Sequence, residues 1–351
     1  MSRTVLLSTG LIARLAVLWL AALCVGNVAG AVPNLSMRDR AIIGEAYNLW
    51  SCVADGIWPG ASAVNIPFIY VGEEYEYAIG FPAALDGFIH SGEALQGGQN
   101  LQMRKRTLGR DLSASFPIGG FPAAVMGSPE ALGMNIGEWV VTAGHEMFHV
   151  FQAAKGGYEK TAALEIAPRN DSSWQLNFPF PYTEPDVMRL MHLQSYLVWL
   201  TWASTDADDA RYNVGTALEA VQVYRSRLAQ GLKDDKAYRY SEFQEWDEGV
   251  AAYTAFKLAE GAAQDGYRPT QAYSSLPGFQ TYSEVWRSTY QRQPFLAKHA
   301  GRASKSRTAF YHLGMGKALA LDRVSPGWKE KYFVPGVWLD DLLAAAVAGA
   351  H

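Results

Sequence analysis

The most constraining feature of the sequence is the stretch 137–154, which is apolar on nearly every side. A helix without a polar face is buried all round, so this stretch predicts a central core helix. It nevertheless carries His145, Glu146 and His149. Because ionisable groups are costly to bury alone, we expect a charged partner to compensate these three side chains.

His145 and His149 stand four positions apart in the pattern HExxH and therefore lie on one face of the predicted helix. Both imidazoles can then reach one metal ion, while Glu146 projects beside it and can hydrogen-bond a water molecule. A catalytic zinc ion normally takes three protein ligands and leaves one position for water. We therefore predict a single Zn²⁺ held by His145 and His149, with Glu146 as general base.

The third ligand is not a further histidine of the same motif. The metzincin continuation needs Gly at position 152 and His at position 155, where this chain has Gln152 and Lys155. That class is excluded, and we expect a carboxylate from another helix. Glu248 and Glu165 are the two candidates.

The segment Trp246 to Ala251 resembles the W-x-N-E-G-x-A segment of the aminopeptidase N family of gluzincin zinc peptidases, with Asp247 in place of the Asn. It is also similar to a segment of secreted bacterial HExxH proteins of unassigned activity. The resemblance implies that Glu248 binds zinc, and that Gly249 lets its helix approach the HExxH helix closely. Glu165 is nearer to His149 in sequence, as in that family, but lacks the flanking Trp and Gly.

Two further segments resemble the same family. Tyr311 and Gly314 match its Tyr-x-x-Gly, which implies that Tyr311 hydrogen-bonds the oxyanion; a core tyrosine is the alternative. The segment 119–126 stands where the family has a G-x-M-E-N strand that pairs with substrate, which implies that Gly120 and Ala123 bind substrate by backbone pairing. The Glu that grips a free amino terminus is missing there, and an ordinary loop and edge strand is the alternative.

The coarse pattern predicts an α+β fold, and the resemblance implies a zincin-like one. Strands are expected at 65–71, 74–80 and 121–126, within an N-terminal α/β portion at 32–135. The portion 136–351 is expected to be mainly helical and to complete one continuous catalytic domain. Its helices are predicted at 137–154, 186–204, 214–230, 241–263, 308–322 and 339–348, after an N-terminal helix at 37–50.

The N-terminus reads as a signal peptide, residues 1–31. Arg3 and Arg14 precede an apolar run at 15–26, and Ala29-Gly30-Ala31 has the small-x-small pattern of a cleavage site. We therefore expect an exported protein, periplasmic or extracellular, without a stable membrane span after cleavage. The formal net charge of −4 and the lack of a basic stripe argue against a nucleic-acid partner.

These features predict a zinc-dependent hydrolase that acts on a peptide or protein substrate. Three alternatives stay open at this point. The protein binds zinc together with peptide or cell-envelope ligands without cleaving them, or it hydrolyses a bond other than a peptide bond. The third alternative is a helical interaction module without a metal.

Overall fold

The computed structural model describes residues 34–95, 98–168, 171–232, 234–264, 266–302 and 305–349. The predicted signal peptide, residues 1–31, lies outside the described residues. The strands are β1 Phe68–Val71, β2 Tyr75–Ile79, β3 Ile89–Ala94, β4 Asn100–Lys105, β5 Ser113–Ile118 and β6 Phe121–Gly127. The longer helices are α1 Met37–Ile57, α3 Ile136–Ala154, α5 Pro185–Ala203, α6 Ala207–Leu232, α7 Lys236–Gln244, α8 Val250–Ala263, α12 Thr308–Val324 and α13 Leu339–Ala348. The short helices are α2 Pro129–Leu132, α4 Trp174–Asn177, α9 Gln271–Ser274, α10 Tyr282–Val285 and α11 Gln293–Ala297.

The six strands form one mixed sheet in the order β3-β4-β2-β1-β6-β5. The pair β1 and β6 at the centre is parallel, and every other neighbouring pair is antiparallel. Alternate residues of β1 face opposite sides of the sheet. Ile69 and Val71 belong to a core cluster with Ala123 and Val125 of β6. The fold is therefore α+β, as predicted, and β5 is an edge strand.

A two-residue turn joins β5 to β6. Ile118 pairs with Phe121, and the glycines between them have φ angles of 58° for Gly119 and 85° for Gly120. Two consecutive positive φ angles are typical of a tight hairpin turn whose twist matches the flanking strands, and glycine adopts them without a steric penalty. The pair Gly119-Gly120 therefore fixes the register of the hairpin.

Helix α3 carries the HExxH motif and lies against the sheet. The Asn135 side chain accepts a hydrogen bond from the backbone of Glu138, whose side chain in turn caps the backbone of Asn135, so a capping box starts the helix at Ile136. On the sheet-facing side, Trp139 donates from its indole nitrogen to the carbonyl of Gly127 at the end of β6. This contact ties the first turns of α3 to the central strands.

The helix predicted at 241–263 is interrupted. Helix α7 ends at Gln244, the residues Glu245–Gly249 form a π-helical segment, and α8 begins at Val250. One-turn π segments are rare and are often found at functional sites. Glu248, the candidate third ligand, lies within this segment.

Two close helix contacts surround this segment. A Cβ atom added to Gly144 would lie 2.4 Å from the side chain of Leu258, so Gly144 permits the approach of α3 to α8. A Cβ atom added to Gly249 would lie 2.5 Å from the Cα of Gly314 in α12. The expectation that Gly249 admits the HExxH helix is therefore wrong, because Gly249 faces α12 instead.

Apart from the interrupted one at 241–263, the predicted long helices are present, although α1 continues past residue 50 to Ile57 and α6 begins at Ala207 rather than at 214. The strands expected at 65–71, 74–80 and 121–126 correspond to β1, β2 and β6. The remaining strands were not expected. Gly92 interrupts β3 with a φ angle of 77°, and Pro117 lies in β5, so both sequences lack a regular strand pattern.

In the part of the chain that the structure describes, no helix combines the length and the apolar character needed to cross a bilayer.

We predict that Gly314→Ala destabilises the protein. The new Cβ would lie 2.3 Å from the carbonyl oxygen of Glu245, and overpacking of this kind costs about 1–3 kcal/mol. The free energy of unfolding, measured by denaturant titration, checks this. The control is Gly215→Ala in α6, where a Cβ meets nothing within 4 Å and the helix should gain up to about 1 kcal/mol. A G314A protein as stable as the wild type would contradict the close packing of the two helices.

Candidate metal centre

The two histidines of α3 and Glu248 of the π segment bring three ligand atoms together. The Nε2 atoms of His145 and His149 are 3.2 Å apart, and each lies 3.3 Å from Oε2 of Glu248. Ligand atoms at about 2.0–2.1 Å from a tetrahedral zinc ion lie about 3.3–3.4 Å from one another. The triangle therefore has the size that a tetrahedral metal ion requires, and the three residues could hold one.

The buried Gln152 fixes the tautomer of His149. Its amide nitrogen donates to the carbonyl oxygen of Trp246 at 3.4 Å and to the hydroxyl of Tyr332 at 2.7 Å. Its amide oxygen is thus left to accept from Nδ1 of His149, at 2.7 Å. In a neutral ring that carries its hydrogen on Nδ1, Nε2 has a free lone pair. His149 is therefore arranged to present Nε2 as a ligand atom.

Asp247, next to the candidate ligand Glu248, supports the same ring. Its Oδ1 lies 3.2 Å from Nδ1 of His149 and accepts a hydrogen bond from the hydroxyl of Tyr158 at 2.9 Å. Histidines that bind metals usually donate their second ring N–H to a carboxylate or a carbonyl oxygen, which raises their basicity and holds the ring. The π segment therefore supplies both the candidate third ligand and a carboxylate behind His149, a candidate ligand itself.

Glu146 lies beside the triangle and is 5% exposed. The hydroxyl of Ser113, the first residue of edge strand β5, donates to its Oε1 at 2.8 Å. Burial raises the pKa of Glu146, although the two neighbouring histidines oppose the rise. A carboxylate with a raised pKa is a stronger base, which suits a group that must accept a proton from water.

Helix α12 adds two side chains on the other side of Glu248. Arg307, which precedes the first residue of α12, donates from Nη1 to Oε1 of Glu248 at 2.7 Å. One turn further along, the ring of Tyr311 lies parallel to that of His145, with centroids 6.0 Å apart and an interplanar angle of 6°. Tyr311 therefore lies next to His145 at the centre.

One cavity of about 890 Å³ is lined by most of these groups, namely Ser113, His145, Glu146, His149, Tyr158, Asp247, Glu248, Arg307 and Tyr311. The charged residues among those that line it are Glu146, Asp247, Glu248 and Arg307. With neutral histidines, three carboxylates and one guanidinium give a formal charge of −2. One divalent cation would balance that charge, which independently favours a metal ion at the triangle.

The electrostatics of the protein groups also favour a cation. Burial lowers the pKa of His149, but the charges of Asp247 and Glu248 outweigh burial and raise it well above its usual range. Burial raises the pKa of Glu248, but hydrogen bonds with His145 and His149 outweigh burial and hold it well below its usual range. Positive charge is therefore preferred between these groups. A divalent cation supplies it and displaces the proton.

Of the two acids considered as third ligand, the structure brings only Glu248 to the histidines. Glu165 follows the 3₁₀-helical segment Gly157–Leu164, has a φ angle of 54° and is exposed to solvent. It does not line the cavity.

The structure does not bring the predicted substrate-binding positions to the centre. Ala123 is fully buried in the sheet, and β6 pairs with β1 on one side and β5 on the other. Its backbone is therefore not free to pair with a substrate. Gly120 lies in the hairpin turn and does not line the cavity. Of the two edge strands of the sheet, β3 and β5, it is β5 whose residues from Ser113 to Pro117 line the cavity.

Sequence reasoning missed four residues of the centre: Ser113, Gln152, Tyr158 and Arg307. Gln152 was considered only as a departure from another motif. Its position three residues after His149 on a buried helix could have suggested a polar partner for that ring. Ser113 and Arg307 carry no local signal, because only the sheet and the packing of α12 bring them to the centre.

Comparisons of the chain with protein-family models, with curated proteins and with solved structures gave no match. The likeness to gluzincins thus rests on the motifs alone.

We predict that Glu248→Gln weakens zinc binding by more than about 100-fold, since it removes the charge of a direct ligand. Competition of the purified protein with a chromophoric chelator measures the affinity. Glu165→Gln is the matched control and should bind zinc as the wild type does. If E165Q loses zinc while E248Q retains it, the assignment of the third ligand is wrong.

Proposed function

We propose that the chain is an exported zinc-dependent hydrolase of the gluzincin type, with a zincin-like fold, and that it cleaves peptide bonds. The observation that carries the proposal is the triangle of His145, His149 and Glu248 with Glu146 beside it, within one cavity. Two imidazoles and a carboxylate are a donor set of catalytic zinc sites, and they leave a coordination position open. When bound, zinc lowers the pKa of a water molecule to about 7 and polarises a carbonyl oxygen.

Glu146 is the general base in this proposal. The Ser113 hydroxyl holds its Oε1, so that Oε2 is the oxygen that accepts the proton of the attacking water. Burial keeps the carboxylate out of bulk solvent, which preserves the proton for transfer to the leaving amine nitrogen. The atoms balance: water adds across the peptide bond, and its proton passes through Glu146 to the amine.

Tyr311 is the donor to the developing oxyanion. Burial, and next the charge of Glu248, raise the pKa of its hydroxyl well above the usual range, so the group stays protonated and can donate. Its parallel contact with the ring of His145 restricts its position. Donors that are already in place stabilise the charge of a transition state without reorganisation.

The edge strand supports a peptide as the substrate. Among the described strands, β5 pairs with β6 alone, and its residues Ser113 to Pro117 line the cavity beside Glu146. An extended peptide can add to such an edge through main-chain hydrogen bonds, which carry affinity without a demand on sequence. This edge takes the place of the strand expected at 121–126.

We predict that Glu146→Gln abolishes turnover but leaves zinc bound. Loss of a general base lowers the rate by about 10²–10⁴-fold, whereas the ligand atoms stay unchanged. The test incubates a peptide mixture with the zinc-loaded protein and analyses the products by mass spectrometry, with a chelator as the blank. E165Q is the matched control and should cleave as the wild type does. Nearly full activity of E146Q would refute the role of this carboxylate, and a wild type that cleaves no peptide would refute the peptidase.

We predict that Tyr311→Phe lowers kcat by about 10²–10³-fold with little change in KM, because the lost donor acts mainly in the transition state. Steady-state kinetics on a peptide from the preceding experiment measure both constants. Tyr212→Phe, at a residue that is 75% exposed on α6, serves as control. A kcat for Y311F within a few-fold of the wild type would favour the alternative of a packing tyrosine.

A further inference from the structure

Arg307 is a cation in the cavity wall that the proposed reaction does not use. Its Nη1 lies 2.7 Å from Oε1 of Glu248 and 3.4 Å from the side-chain oxygen of Gln244. Its side chain is 30% exposed, compared with 12% for Glu248. Solvent thus reaches the guanidinium of the ion pair, whereas the carboxylate is nearly buried.

The position of Arg307 is set by the same face of α12 that packs against the π segment. Arg307, Tyr311 and Gly314 are spaced i, i+4 and i+7, which places them on one side of the helix. Gly314 contacts Gly249, Tyr311 stacks beside His145, and Arg307 reaches Glu248. The guanidinium is therefore held at the centre by the packing of a whole helix.

A divalent cation at the triangle would repel the guanidinium of Arg307, so the ion pair with Glu248 must outweigh that repulsion. The two oxygens of Glu248 have different partners. Oε2 faces both histidine Nε2 atoms, whereas Oε1 faces Arg307. A carboxylate with two free oxygens can bind a metal through both, as it does in many calcium sites. A charge-assisted hydrogen bond on one oxygen opposes that second bond.

We propose that Arg307 is a positioning residue that restricts Glu248 to coordination through Oε2 alone, and so keeps a coordination position of the metal open for the reaction. This inference rests on the proposed metal centre. It goes beyond the motifs, because neither HExxH nor the segment around Glu248 includes an arginine. The sequence feature that carries it is R-x-x-x-Y-x-x-G, read from Arg307 to Gly314.

The test uses cobalt(II) as the bound metal, since its visible spectrum reports the coordination number. Four-coordinate cobalt absorbs visible light much more strongly than five- or six-coordinate cobalt. The full chain is compared as wild type, Arg307→Gln and Arg307→Lys, with metal affinity measured by chelator competition. Arg287→Gln is the control, because Arg287 is exposed and donates only to the carbonyl of Ser283 in the hydrogen bonds of the described residues.

We expect R307Q to bind cobalt with a lower visible absorbance, because Glu248 is then free to bind through both oxygens. We also expect it to bind cobalt more tightly, by up to about 10-fold, because a second metal–oxygen bond forms and the repelling positive charge is gone. R307K keeps the charge but not the planar fork, and should lie between R307Q and the wild type. R287Q should match the wild type in both measurements. If R307Q fails to fold, R307K carries the test, with a smaller change in the same direction.

Wild-type affinity and an unchanged spectrum in R307Q, or in R307K if only that variant folds, would overturn the inference about Arg307. The metal centre itself would stand in that case. A wild-type protein that binds neither cobalt nor zinc would instead overturn the proposed function, so the two failures are distinguishable.

Discussion

The rest of the site depends on one constraint, which is that three ligand atoms face one another at 3.2–3.3 Å in a nearly buried space. Two ring nitrogens and a carboxylate oxygen at this distance present lone pairs to one another, so a proton or a metal ion must lie between them. Hydrogen bonds from the neighbouring groups orient the ligand side chains accordingly. Gln152 and Asp247 hold the hydrogen of His149 on the far ring nitrogen, and Arg307 occupies the far oxygen of Glu248. These contacts leave the lone pairs of His149 Nε2 and Glu248 Oε2 directed at the space between the three ligand atoms.

The scaffold that holds this arrangement is built from close helix contacts. Gly144 lets α8 approach the HExxH helix, while Gly249 and Gly314 bring α12 against the π segment. Within the π segment, the adjacent residues Asp247 and Glu248 both contact His149, Asp247 at Nδ1 and Glu248 at Nε2. The segment thus brings two carboxylates to opposite nitrogens of one ring.

Features that depend on one continuous segment could be predicted from the sequence, whereas features that depend on contacts between distant segments could not. The helix around His145 could be predicted, because the spacing of the motif and the apolar run act within a single helix. The resemblance of its Trp and Gly neighbours favoured Glu248 over Glu165, whereas no pattern in the residues indicated the π segment. The same resemblance placed a substrate-pairing strand at 121–126, while β5, with its proline, lacks a strand pattern and could not be predicted. Ser113 lies far from the motif in sequence and reaches Glu146 only through the sheet.

The most direct test is an anomalous diffraction experiment at the zinc absorption edge, on crystals of the protein grown with zinc. One strong peak is expected, bounded by the Nε2 atoms of His145 and His149 and by Oε2 of Glu248. The absence of a peak at that point, with zinc in excess and the three side chains well ordered, would contradict the metal centre. The hydrolase that we derive from that centre would then have no basis.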